Sequence, residues 1–150
     1  MIDVDYAIPG CAPTANVTLA AIQTLLSGKL PPKGTVLTTD QALCKECPRL
    51  KTKPEDLKIS DFKRPYQILI DEEKCLLAQG LLCLGPATRG GCGALCVGGN
   101  MPCTGCFGPT SRVDDYGGKL LSAIGSMIGS NDEAEIEKIA TSSSKDKIAL

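Results

Sequence analysis

Apolar and polar positions alternate at the start of the chain. Ile2, Val4, Tyr6 and Ile8 are separated by Asp3, Asp5 and Ala7, a period of two that predicts a half-buried strand ended by Pro9-Gly10. The period then lengthens. Val17, Ala20, Ala21, Ile22, Leu25 and Leu26 form one helical stripe, with Thr14 or Asn16 as N-cap and Gly28 as C-terminal stop. Residues 1–40 thus read as a strand–turn–helix unit with Cys11 at its turn. A thiol just ahead of a helix meets unpaired amides and the positive end of the dipole, which favours the thiolate. Residues 29–43, holding Pro31-Pro32 and Gly34, read as a connector with a short helix through Asp40-Gln41-Ala42-Leu43 into Cys44. The mixed-charge run 49–64, followed by Pro65, predicts a solvated excursion. Tyr66, Ile68 and Ile70 alternate briefly, which predicts a strand leading to Cys75. Leu120, Leu121, Ile124, Met127 and Ile128 predict a helix opened by Asp114 or Asp115 and interrupted by Gly125. A second helix follows Asp132 through Ile136 and Ile139, and the Ser-rich tail 141–150 reads as frayed.

Between residues 75 and 106 neither period survives. Six cysteines lie in these 32 residues, spaced Cys75-x7-Cys83-x8-Cys92-x3-Cys96-x6-Cys103-x2-Cys106 among many glycines. Glycine turns let backbone N–H groups approach sulfur and solvate its charge, which suits a thiolate-ligated cluster better than a helix core. Cys44-Lys45-Glu46-Cys47 lies upstream, and Cys11 brings the total to 9. A [4Fe–4S] cluster takes four thiolates. Cys92, Cys96, Cys103 and Cys106 make one such set; the simplest partition gives Cys44, Cys47, Cys75 and Cys83 to another and leaves Cys11 over. Spacing leaves other partitions open, among them a four-cysteine zinc site built from Cys44, Cys47, Cys103 and Cys106 in a structural adaptor. The 55 residues between those two pairs and the five further cysteines weigh against it. A cube with an open iron that binds substrate is a third reading.

Composition narrows the field. The 150 residues include 16 Gly, 10 Pro, no Trp and 3% aromatics, a poor basis for a self-sufficient core, so clusters stand in for part of it. The fold class expected is α+β, an irregular, loop-rich iron–sulfur domain with few helices: residues 1–40, a two-cluster domain 41–115 and a helical tail 116–150. With 16 basic and 17 acidic residues, net charge −1, no case arises for nucleic acid or an anionic membrane. The start MIDVDYAIPG has no basic n-region, and no apolar run reaches a membrane span, so a cytoplasmic protein is expected. In a reducing cytosol an odd number of closely spaced cysteines reads as metal ligands rather than disulfides. Histidine is absent, which excludes Cys2His2 zinc sites, histidine bases and histidine-ligated haem. A nucleophilic cysteine would need a base that nothing here supplies. Arg89, among glycines, reads as a surface arginine, or as a donor to a cluster sulfur or a partner's carboxylate. No internal repeat appears, which disfavours a duplicated ferredoxin.

Three stretches carry a resemblance: Asp3-Val4-Asp5-Tyr6-Ala7-Ile8-Pro9-Gly10-Cys11-Ala12-Pro13, Cys44-Lys45-Glu46-Cys47-Pro48, and the run from Cys75 through Cys83-Leu84-Gly85-Pro86-Ala87-Thr88-Arg89-Gly90-Gly91-Cys92 to Asn100-Met101-Pro102-Cys103-Thr104-Gly105-Cys106. With them the chain resembles the carboxy-terminal half of the small, electron-transferring subunit of [NiFe] hydrogenases. The likeness is strongest to the cytoplasmic archaeal F420-non-reducing (methyl-viologen-reducing) type that works with heterodisulfide reductase. It implies that Cys44, Cys47, Cys75 and Cys83 hold a distal [4Fe–4S] cluster and that Cys92, Cys96, Cys103 and Cys106 hold a medial one. Cys96 stands where relatives with a three-iron medial cluster lack cysteine. Cys11 matches one ligand of a proximal cluster, so the implied cofactors are two [4Fe–4S] clusters and a share of a third. Implied partners are a [NiFe] hydrogenase-type large subunit and iron–sulfur adaptor or heterodisulfide reductase subunits, with the chain itself not catalytic. The family's small subunit begins with a flavodoxin-like domain that supplies the other proximal ligands, and this sequence lacks them. The strand–turn–helix is then a remnant of that domain. Two expectations follow: a separate chain supplies the flavodoxin-like domain and shares a cluster with Cys11, or the proximal cluster is lost and the chain is a vestigial electron wire.

Overall fold

A computed structural model describes residues 3–142. β1 (Tyr6–Ala7) and β2 (Thr35–Val36) pair in parallel, Tyr6 opposite Thr35 and Ala7 opposite Val36. Parallel neighbours need a long crossover, and α1 (Ala15–Leu26) lies within it. β1 is shorter than the alternation predicts: Ile2 lies outside the described residues, and Val4 and Ile8 are exposed. The stretch expected to be only a connector supplies β2, held by Gly34 N–H to the Asp5 carbonyl (2.7 Å) and Leu37 N–H to the Ala7 carbonyl (2.8 Å). α1 starts as predicted with Thr14 in the cap position, but the Thr14 hydroxyl is buried without a hydrogen-bond partner. Of the predicted stripe, Val17 and Ala21 are buried while Ile22, Leu25 and Leu26 remain exposed.

The core lies further along the chain. Leu43, Leu76, Leu81, Ala94, Val97 and Cys103 form one buried cluster; Leu57, Ile59, Leu77 and Met127 form a second, and Cys83 packs against both. The mixed-charge run is therefore not a solvated excursion. Leu57 and Ile59 flank Lys58 in alternation and turn inward, and Ile59 N–H donates to the Met127 carbonyl at 2.7 Å. The strand expected at 66–70 is likewise corrected. Residues Pro65–Gln67 form a tight turn in which Arg64 N–H donates to Gln67 Oε1 (2.6 Å), leaving Tyr66 and Leu69 exposed. Ile68 and Ile70 still pack on the core, so the alternation marked burial correctly without a ladder to join.

A single helical turn, α2 (Leu95–Gly98), lies inside the cysteine stretch, where the sequence pattern predicts no helix. α3 (Tyr116–Gly125) is capped by the Asp115 carboxylate, which accepts from Gly118 N–H at 3.0 Å; Gly125 ends this helix rather than interrupting it. α4 (Glu133–Ser142) is opened by Asp132, whose carboxylate accepts from Ala134 N–H at 3.0 Å. The tail expected to fray falls, from 143 on, outside the described residues. No helix among the described residues is long and apolar enough to cross a membrane.

Candidate metal centre

Four cysteines from three separate segments come near one another beside the core. Cys44 sits on the tight turn Leu43–Lys45, and Cys47 N–H donates back to the Cys44 carbonyl at 3.3 Å. Cys75 N–H donates to the Thr52 hydroxyl (2.8 Å), which itself donates to the Glu73 carbonyl, so the 49–64 run positions this thiol. Cys83 follows Leu81, one of the most deeply buried side chains. A Cβ placed on Gly85 would touch both Cys44 Sγ (3.4 Å) and Cys83 Sγ (3.7 Å), so the two sulfurs face one stretch of backbone. Cys83, Cys47 and Cys75 all act electrostatically on the Cys44 thiol.

The second set comes from one continuous run. Cys92, Cys96, Cys103 and Cys106 line a single small cavity together with Leu43, Val97 and Phe107. Tight backbone makes this possible: Gly93 (φ 70°) and Ala94 (φ 51°) are left-handed, which turns the chain sharply into α2. The amides of Ala94 and Leu95 then bond the Cys92 sulfur, and Gly105 N–H points at Cys103 Sγ (3.4 Å). Cys103 N–H in turn donates to Cys83 Sγ at 3.4 Å, which links the two sets. Amides aimed at sulfur are what a site for anionic thiolates requires.

Burial opposes that charge as long as no metal is bound. It pushes the Cys44 thiol up from 9.0 to about 11, and raises those of Cys83, Cys92 and Cys103. Such thiols are protonated at neutral pH; a metal that bound them would displace their protons to solvent and compensate the thiolate charge in their place. Among the described residues no three Cys, Asp or Glu side chains converge closely enough to hold one metal ion. Four cysteines lining one cavity, with amides directed at the sulfurs of Cys92 and Cys103, are a donor set of the type a polynuclear iron–sulfur group takes.

Cys11 stands apart on an exposed turn. Thr14 is in the cap position of α1, which begins at Ala15, so Cys11 lies on the turn ahead of the helix, as the sequence suggests. The turn nevertheless packs near the second set: a Cβ on Gly10 would lie 2.8 Å from Phe107 Cε2, and Phe107 lines the cavity of the four cysteines.

Two arginines hold these loops. Arg89 is neither a surface group nor a sulfur donor; it is buried, pairs with Asp40 (2.9 Å) and donates to the Pro109 carbonyl (2.8 Å). Hydrogen bonds from the Ser111 hydroxyl and amide, with Arg89 beyond them, hold the Asp40 carboxyl below the usual carboxylate range. Arg49, hidden in the mixed-charge run, is also buried and donates to the carbonyls of Asp71 (3.2 Å) and Val97 (3.0 Å) and to Asn100 Oδ1 (2.9 Å). It thereby ties the approach to Cys75 to the loop between Cys96 and Cys103. Tyr116, at the start of α3, bonds the Gly105 carbonyl and the Thr88 hydroxyl, both at 2.9 Å. Nothing in the local sequence around Arg49 or Tyr116 marks them, since their partners are distant in the chain.

No protein-family model matches the chain. The iron-sulfur subunit of the F420-non-reducing hydrogenase of Archaeoglobus profundus is 41% identical over 131 residues, 85% of this chain and 40% of that protein. The corresponding F420-non-reducing hydrogenase subunit of Methanothermus fervidus is 46% identical over 98 residues, 63% of this chain and 76% of that protein. The delta subunit of sulfhydrogenase 2 of Pyrococcus furiosus is 29% identical over 109 residues, 73% of this chain and 35% of that protein. The chain spans about 40% of the length of most of the curated relatives it matches.

Proposed function

The chain belongs to the family that these F420-non-reducing hydrogenase subunits form, and on that premise we propose that it is an electron-transfer subunit of a hydrogenase complex. Cys44, Cys47, Cys75 and Cys83 would hold a distal [4Fe–4S] cluster, and Cys92, Cys96, Cys103 and Cys106 a medial one. Such clusters, when bound, supply one-electron transfer, and four protein ligands leave no iron open to a substrate. The observation that carries this reading is the gathering of the second four cysteines around one cavity, with backbone amides on the sulfurs of Cys92 and Cys103. The residues of the chain do the rest: Leu43 and Val97 exclude water from the cavity, while Arg49 and Arg89 hold the ligand loops in register. Cys11 belongs on this reading to a proximal cluster whose other ligands lie outside these 150 residues. The electron donor would be a [NiFe] large subunit, and the acceptor a heterodisulfide reductase assembly.

Iron and acid-labile sulfide measured on anaerobically purified protein test the proposal. About eight of each per chain are expected for two cubes. Negligible iron with one bound zinc would instead identify a structural adaptor.

A further inference from the structure

Glu46 lies between Cys44 and Cys47 in sequence, yet its carboxylate is spent on the other set of cysteines. Glu46 Oε2 accepts from Gly91 N–H at 2.9 Å, and Oε1 accepts from Gly93 N–H at 3.1 Å. These are the amides on either side of Cys92. The Cys92 Sγ lies 3.8 Å from Oε1, and the chain is so close at Gly90 that an added Cβ would stand 3.3 Å from the Glu46 carboxyl carbon. Gly91 itself is at φ 110°, a backbone conformation that residues with side chains rarely adopt.

We propose that Glu46 lowers the reduction potential of the cluster held by Cys92, Cys96, Cys103 and Cys106 relative to that of the cluster held by Cys44, Cys47, Cys75 and Cys83. The inference rests on the cluster assignment made above and extends it to a residue that is not a ligand. Two effects act in the same direction. A fixed negative charge within contact distance of a ligand sulfur disfavours the addition of an electron. The carboxylate also holds the Gly91 and Gly93 amides, which otherwise could bond sulfur and stabilise the reduced state. Because the charge is carried by the turn that bears Cys44 and Cys47, the first ligand segment sets the energy of the second site. Glu46 is thus a positioning residue that also carries a tuning charge.

Glu46→Gln preserves size and removes the charge. Redox titration followed by EPR, on the anaerobically purified protein with its iron content measured in parallel, is expected to show an upward shift of one midpoint potential and little change in the other. A companion Cys92→Ser protein, which perturbs the signal of its own site, assigns which midpoint moved. Full iron content with both E46Q potentials unshifted, or with both shifted equally, overturns the role of Glu46. Should E46Q lose the cluster, Glu46→Asp is read in its place, since it draws the charge back from the Cys92 sulfur by one methylene: full iron with the midpoint unshifted then overturns the role of Glu46. Negligible iron in the unaltered protein overturns the cluster assignment itself, an outcome separate from these.

Discussion

The two cysteine sets gather four thiols each by opposite routes. Cys92, Cys96, Cys103 and Cys106 come from 15 consecutive residues whose glycine turns bend the chain around one cavity. Cys44, Cys47, Cys75 and Cys83 come from segments far apart in sequence; Cys47 and Cys83 pack on the first buried cluster, which Cys92 and Cys103 also join, and Cys75 and Cys83 pack on the second, which no cysteine of the local set touches. Exposure differs too: Cys96 and Cys106 are exposed and only Cys103 is buried in the local set, whereas every member of the dispersed set is partly covered. The local set is a property of turns, and the dispersed set is a property of packing. Perturbing the core should therefore damage the second kind of site before the first.

The largest expected effect is from Cys83→Ser. A hydroxyl is a poorer iron ligand than a thiolate, so iron should fall to about half, four per chain, with the signals of the local set retained. Simultaneous loss of both would show that the Cys103 N–H bond to Cys83 couples the two sites more tightly than their separate origins suggest.

Leu77→Ala comes next. Leu77 is buried in the cluster that packs on Cys75 and Cys83 but on no cysteine of the local set. Removing it should cost about 2–5 kcal/mol in denaturant unfolding. Absorbance of the dispersed-set cluster should bleach at lower denaturant than that of the local set; bleaching in the reverse order would break the contrast between the two.

A smaller effect appears with pH in the iron-free protein. The Cys44 thiol rises from 9.0 to about 11 on burial, so the folded chain favours its neutral form. That contribution is fully present below about 9, where the unfolded thiol is also protonated, and is lost as pH rises through about 11. Chemical denaturation across this window should show falling stability. Alkylation by iodoacetamide at neutral pH should mark exposed Cys96 and Cys106 before Cys44 and Cys103.

The smallest effect on the chain alone belongs to Cys11→Ser, because Cys11 is exposed and outside both sets. Iron content and stability of the isolated protein should stay unchanged. In the assembled complex, EPR should show a third cluster perturbed and the two others intact; an unaltered spectrum removes Cys11 from the ligands.

The gathering of one set of thiols was legible in the sequence because cysteine spacing and turn glycines are local properties. The set at 92–106 could be grouped by spacing, and the caps at Asp115 and Asp132 could be read from short polar side chains ahead of apolar runs. The helix over Val17 and Ala21 followed from its period alone. Tertiary structure decided what depends on distant partners. Leu57 and Ile59 became core because Met127 and Leu77 meet them, despite the charges around them. Tyr66 and Leu69 stayed outside because Pro65 and Gln67 close a turn where no neighbouring strand pairs with the backbone. Arg49 and Arg89 are buried because carbonyls and a carboxylate from remote loops accept their hydrogen bonds, and Glu46 reaches Gly91 and Gly93 across 45 and 47 positions of sequence. A local pattern states which face of a segment is apolar and which atoms can bind metal; only the folded chain supplies the surface, or the hydrogen-bond partner, that makes burial of a given residue favourable.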